Sequence, residues 1–179
     1  MLMKFLDKIL QIWRIAKAKP FVPWGARVLD VGGYNGALLN LLPVDRLSCG
    51  IDPKAPPESR RMIPGCFPKD MPDVAPFDAI TMLACLEHIP NEQLNEIKAG
   101  CAKFLKRGGR LIITVPSPLV DRILTVLKAL HMIDGLSFEE HHGYRVSMTE
   151  EIFDSPTFHL AFRCRFQLGL NNLFVFIRS

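Results

Sequence analysis

Apolar residues fall at helical spacing through the first stretch of the chain. Leu2, Phe5, Leu6, Ile9, Leu10, Ile12, Trp13 and Ile15 recur there, with Lys4, Lys8, Lys17 and Lys19 mostly on the other side. Pro20 and Pro23 end the pattern, which predicts one amphipathic helix within residues 1–20. The pattern then changes to short continuous apolar runs bounded by turn residues. ARVLDV predicts a buried strand running into Gly32 and Gly33, and NGALLNLL a short helix stopped by Pro43. RLSCGID predicts a second strand, RMIPGCF a weaker third and FDAITML a fourth. NEQLNEIKAGCAKFLKRGG is an amphipathic helix with a Gly-Gly stop, and GRLIITVP a fifth strand. Strands that are apolar on both faces and alternate with helices predict a parallel sheet covered on both sides.

The last third has a different order. Residues 118–133, PLVDRILTVLKALHMI, predict a helix, and FEEHHGYRVSMTEE a polar loop. A short helix around residues 149–155 leads to LAFRCRFQLG and NLFVFIRS, two strand-like runs separated by a turn at Gly169-Leu170-Asn171-Asn172. That pair predicts an antiparallel hairpin beside a parallel five-strand core. Only nine residues separate Asp52 from Met62, and they include Pro53, Pro56 and Pro57. This leaves no room for a full crossover helix, so the third strand is expected to be short or displaced. There is no internal repeat.

Composition narrows the class. The 179 residues are 49% apolar and 22% charged, as in an ordinary folded domain. The net charge of +4 comes from 22 Lys and Arg against 18 Asp and Glu. Five of those cations and one acid lie in residues 1–20, so the remainder is balanced, 17 against 17. A balanced domain with a basic appendage argues against a phosphate-tracking groove and hence against a nucleic-acid partner. The five cysteines contain no C-x-x-C and read as small buried thiols rather than disulfides or a zinc site. No apolar run is long enough for a spanning helix, and Asp7 and Lys8 interrupt the only candidate signal segment. A cytoplasmic location is expected, with peripheral membrane contact through residues 1–20 as an open alternative.

The chemistry concentrates in VLDVGGYNGALL, residues 28–39. Glycines at the carboxyl end of a first strand, just before a helix, allow a sharp turn and close approach of a ligand to the backbone. Asp52, 20 residues after Gly32 at the end of the second strand, has the place and spacing of an acid that holds ribose hydroxyls. A nicotinamide fingerprint is not matched, because Tyr34 stands where the second glycine of G-x-G-x-x-G belongs. No G-x-x-x-x-G-K-[ST] occurs, which excludes a P-loop.

VLDVGGYNG, GID, FDAITMLACLEHI, LKRGGRLIITVPSP and the terminal hairpin together resemble a class I S-adenosylmethionine-dependent methyltransferase of the small, type-11-like kind, over roughly residues 25–179. The resemblance implies an α/β, three-layer, Rossmann-like sheet of seven mostly parallel strands in the order 3-2-1-4-5-7-6, the last antiparallel. Residues 21–179 would form the methyltransferase domain. The implied cofactor is S-adenosylmethionine. Asp30, Gly32, Gly33 and Gly36 would surround its methionine part, Asp52 its ribose, and Leu83 and Ala84 the methionine chain. The slot after the third strand, where the family often carries an acid toward the adenine amine, holds Cys66. Phe67 would take the adenine side, with Asp70 as a further acid.

Methyl transfer from a sulfonium is an in-line displacement in which the protein supplies alignment. A hydroxyl acceptor needs a base near neutral pKa, and the candidates are His88, His141, His142 and Tyr144. His131, Glu140, His141 and His142 lack a defined ligand spacing, so no metal is expected. The expected acceptor is a small molecule or a lipid-linked one; the apolar 119–133 helix would suit an amphiphile. A non-catalytic cofactor-binding partner protein is the first alternative. An RNA methyltransferase is the second, disfavoured by LACL after the fourth strand in place of an Asp/Asn-Pro-Pro-Tyr/Phe turn. The basic N-terminal helix has three open readings: a lid over the cofactor, an anchor on an anionic membrane, or a contact with a second subunit.

Overall fold

A computed structural model gives the fold and describes residues 2–117 and 144–179, with side chains described from residue 8 onward. The predicted 118–133 helix, His131, Glu140, His141 and His142 therefore lie outside the described residues. Helix α1, Leu2–Ala18, opens the chain and runs into a single 3-10 turn at Lys19–Phe21, where Pro20 ends it. The sheet strands follow as β1 Val28–Val31, β2 Cys49–Asp52, β3 Met62–Pro64, β4 Phe77–Leu83, β5 Leu105–Pro116, β6 Phe158–Phe166 and β7 Asn171–Arg178. Between them stand α2 Ala37–Leu41, α3 Leu94–Phe104 and α4 Val146–Phe153.

The seven strands form one sheet in the order β3-β2-β1-β4-β5-β7-β6. The pairs β1–β2, β1–β4, β2–β3 and β4–β5 are parallel, and β7 is antiparallel to both β5 and β6. The sequence therefore encodes the expected mostly parallel, Rossmann-like sheet with a reversed last strand. No helix separates β2 from β3, and β3 has three residues, as the prolines after Asp52 require. Arg61 stabilises this tight connection. Its guanidinium donates to the carbonyls of Ser48 at 3.1 Å, Leu39 at 2.9 Å and Asp45 at 2.7 Å, joining the end of α2 to the base of β2.

Alternation along the strands sorts the core into two layers. Leu29, Ile80, Met82, Leu111, Ile113, Phe174 and Phe176 face one side, where α3 and α4 pack through Ile97, Cys101, Phe104 and Phe153. Val28, Ala79, Ile112, Leu173 and Val175 face the other, covered by Leu38 and Leu39 of α2 and by Ile15 and Ala18 of α1. Period-two burial on both faces is what a sheet between two helical layers demands.

Three local expectations are corrected. The short helix starts three residues earlier than predicted, at Val146, and ends at Phe153, because its first turn also packs on the core through Val146 and Met148, with Ile152 and Phe153 following. The hairpin turn is Gln167–Leu170, and Asn171 and Asn172 already belong to β7. Gln167, Leu168 and Gly169 take consecutive positive φ values of 52°, 57° and 84° there, so a residue type that rarely marks such turns hid the boundary. Among the cysteines all five are free, but only Cys101 is buried; Cys66 is exposed on a loop.

Candidate functional site

The strand order reverses between β1 and β4, and a ligand crevice forms outside the carboxyl ends of the strands at such a point. A cavity of about 760 Å³ opens there, walled by Gly32 and Tyr34 after β1, Asp52 at the end of β2, Phe67 after β3, and Ala84 and His88 after β4. A smaller cavity of about 170 Å³ adjoins it, sharing Gly32 and Ala84 and adding Asp30, Gly33, Leu83 and, from α1, Gln11 and Arg14.

The glycine turn is a cradle with no room for side chains. A Cβ on Gly32, whose φ is 73°, would lie 2.4 Å from the sulfur of Cys85. One on Gly33 would lie 2.2 Å from Oδ2 of Asp30. Gly36, with φ 70°, caps the start of α2. Tyr34, the non-glycine in the motif, accepts the left-handed region itself with φ 45° and turns its ring outward beside the cavity.

Asp52 fixes this turn. Its Oδ2 accepts the N–H of Tyr34 at 2.9 Å and its Oδ1 accepts the N–H of Lys54 at 2.7 Å. Each carboxylate oxygen keeps a further lone pair, so bracing the turn is compatible with receiving ligand hydroxyls from the cavity Asp52 lines. Asp30 is buried on β1 beneath the turn, and the hydroxyl of Thr81 donates to its Oδ1 at 2.6 Å. Burial raises its pKa to about 7; the Thr81 bond opposes this and the nearby Asp52 charge adds to it.

After β4 the chain turns sharply at Ala84, φ 54°, whose N–H donates to both the carbonyl at 2.9 Å and the hydroxyl at 3.1 Å of Thr114. That turn sets Leu83 at the smaller cavity and Ala84 at both. Phe67 is buried against Phe104, with ring centroids 6.0 Å apart, and lines the larger cavity. Asp70 stands outside both linings. Its Oδ2 accepts the N–H of Cys66 at 2.7 Å, so it braces the loop that presents Cys66 and Phe67.

His88 lines the larger cavity. Tyr144 lines neither; its hydroxyl shares a 2.8 Å hydrogen bond with that of Thr149. Burial pushes the Tyr144 phenol upward against the opposing Thr149 hydrogen bond, with the charges of Glu87 and Glu151 adding to the rise, so the phenol stays protonated. Among the described residues, no group of three His, Cys, Asp or Glu is placed to hold a metal ion.

The structure brings Asp30, Gly32, Gly33, Asp52, Phe67, Leu83, Ala84 and His88 to one cleft. Sequence reasoning missed Gln11, Arg14, Thr81 and Cys85. Gln11, Arg14, Ile15 and Ala18 follow an i, i+3, i+4, i+7 stripe, but a stripe that is half polar carries no hydrophobic signal.

The combination suits a nucleoside-bearing ligand with an amino-acid end: a backbone cradle, a strand-end acid with spare lone pairs, an aromatic wall, and a second acid in a side cavity. The fold and cleft thus define a class I, S-adenosylmethionine-binding methyltransferase architecture. A family model described as a methyltransferase domain matches residues 4–150, and the chain belongs to that family, whose members are S-adenosylmethionine-dependent methyltransferases. The match includes most of α1.

Solved structures agree in fold. A 1,6-didemethyltoxoflavin-N1-methyltransferase from Burkholderia thailandensis, with bound 1,6-didemethyltoxoflavin and S-adenosylhomocysteine, is 18% identical with a TM-score of 0.66, over 93% of this chain and 76% of that one. The N-methyltransferase NodS from Bradyrhizobium japonicum WM9 is 13% identical with a TM-score of 0.66, over 96% of each chain. A magnesium protoporphyrin IX methyltransferase from Synechocystis PCC 6803 with bound S-adenosylhomocysteine is 16% identical with a TM-score of 0.57, over 98% and 82%. No curated protein sequence matches the chain.

Proposed function

We propose that this methyltransferase acts on a small-molecule or lipid-linked acceptor, using the cleft at the ends of β1, β2 and β4. The observation that carries this is the glycine turn clamped by Asp52, with Asp30 beneath it and a cavity on its open side. S-adenosylmethionine supplies an electrophilic methyl group on a sulfonium when bound. Every other part of the chemistry falls to the chain. Asp52 holds the ribose hydroxyls, Phe67 closes the adenine side, and Asp30 with Arg14 and Gln11 receives the amino-acid end. Leu83 and Ala84 form the wall along the methionine chain.

Alignment of acceptor and methyl is the main contribution expected of such a site. His88, on the cavity wall after β4, is the described residue placed to take a proton from an acceptor hydroxyl or ammonium. His141 and His142, outside the described residues, remain proposals on the sequence alone. Tyr144 is assigned a positioning role through Thr149 rather than that of a base. The small-molecule acceptor named for one structural relative, 1,6-didemethyltoxoflavin, supports this acceptor class, as does the partly apolar wall formed by Ile89, Pro90 and Ile97.

Calorimetry with S-adenosylhomocysteine tests the reading. The wild type is expected to bind, and Asp52→Ala to bind at least about tenfold more weakly, since it loses charge-assisted hydrogen bonds and frees Tyr34 and Lys54 N–H groups. No binding at millimolar ligand, or indifference to Asp52→Ala, would overturn it. Binding without turnover on any acceptor panel would favour the non-catalytic alternative.

A further inference from the structure

Helix α1 is mounted with its apolar face outward. Ile15 and Ala18 are buried on the sheet, and Gln11 and Arg14, on the same side, line the smaller cavity. At 100° per residue, Ile9, Ile12, Trp13 and Ala16 form the next continuous stripe round the helix. That stripe faces solvent: Ile9 is 42%, Ile12 46% and Trp13 45% exposed, and Ala16 is exposed as well. Lys8 and Lys19 are exposed along one border of the stripe, and Lys17 lies beyond the other.

The β6–β7 hairpin turn is held against α1. Gln167 Nε2 donates to the Leu10 carbonyl at 3.1 Å, tying the β6–β7 turn to α1, and the next residue, Leu168, is 94% exposed. Grouped apolar side chains left in water on one helix face mark an interaction surface.

Charge selects the occupant. The whole net charge of +4 resides in residues 1–20, while the rest of the chain is balanced. A twofold contact between two copies through this face would oppose one basic helix with another. An anionic surface would instead meet lysines flanking an apolar stripe with a Trp on it, the arrangement of a helix lying in a membrane interface. No helix among the described residues is long and apolar enough to cross a membrane, so contact through α1 would be in the interface plane.

We propose that the outer face of α1 docks the enzyme on an anionic lipid surface, with Ile9, Ile12, Trp13 and Ala16 entering the headgroup layer and Lys8 and Lys19 pairing with lipid phosphates. Because the inner face of the same helix walls the smaller cavity, docking sets the cleft beside the membrane. The proposal does not depend on the acceptor being a lipid.

Sedimentation of the full chain with vesicles tests it without turnover. Vesicles of phosphatidylcholine mixed with phosphatidylglycerol are expected to capture the protein, and phosphatidylcholine alone to capture it about tenfold less well. Trp13→Glu with Ile9→Glu is expected to lower partitioning about tenfold or more. Lys8→Gln and Lys19→Gln are each expected to lower it about fivefold. S-adenosylhomocysteine affinity, measured on the same variants, should be unchanged and shows that the fold and cleft are intact. The proposal is overturned if the anionic vesicles leave the protein in solution, if neutral vesicles bind it equally, or if the Trp13→Glu, Ile9→Glu variant binds as the wild type does. It is also overturned if light scattering shows a dimer that this variant dissociates, which would assign the face to a second copy.

Discussion

Asp30 is an acid held against its own preference. Its folded pKa of about 7, raised from 3.8 mainly by burial, means that the native state binds a proton that the unfolded state releases over that interval. The sign is the reverse of an ordinary salt-bridged Asp. Below the unfolded value the group costs nothing, and its penalty grows as pH rises from 3.8 to about 7 and is complete above that. The interval corresponds to an upper bound of roughly 4 kcal/mol. Asp30→Asn should therefore raise the thermal stability of the ligand-free protein at about pH 8 while changing it little near about pH 4, relative to wild type at each pH. Melting curves across that range check this, and an equal effect at both ends would show that Asp30 is ionised throughout. A buried acid of this kind persists where a cationic ligand group repays its ionisation, which fits the amino end of the proposed cofactor.

At the scale of elements, α1 joins two surfaces. Its inner stripe mixes packing residues, Ile15 and Ala18, with Gln11 and Arg14 at the smaller cavity. Arg14→Gln should weaken S-adenosylhomocysteine binding about tenfold, the scale of one charge-assisted hydrogen bond, and barely move the melting temperature because Arg14 is only partly buried. Calorimetry beside a thermal melt separates the two; a large loss of stability with unchanged affinity would make Arg14 structural. The elements of the sheet were the most legible part of the chain. FDAITML coincides with β4, and VLDV with β1, because strands covered on both faces leave continuous apolar runs. The inward face of α1 was not legible: its apolar signal comes from Ile9, Ile12 and Trp13, which point away from the sheet. Asp70 shows the same limit at the site. An acid after β3 was visible, but that it would turn back on the N–H of Cys66 depended on the loop around Gly65, whose Cβ position is filled by Asp70 itself.

Across the whole molecule, the hairpin β6–β7 completes a core that the parallel strands begin. Phe176 is fully buried beside Phe153 and Phe174, with centroids 5.7 Å and 6.3 Å away. Phe176→Ala should cost about 3–5 kcal/mol, as removal of a buried ring leaves a cavity. Denaturant unfolding measures this, and a loss below about 1 kcal/mol would show that the far edge of the sheet is not part of the cooperative core. The strands, the terminal hairpin, the glycine turn and the strand-end Asp52 were determined by the sequence itself, since they rest on local periodicity, turn chemistry and fixed spacing along one chain, whereas the sheet order was implied by the resemblance of its motifs to the methyltransferase family. The tertiary structure decided which side of α1 meets the sheet, that Thr81 and Cys85 close beneath the glycine turn, and that Tyr34 turns outward from its left-handed backbone. Those outcomes depend on contacts between elements far apart in the chain, where packing and the burial of charge select among faces that local patterning leaves equivalent.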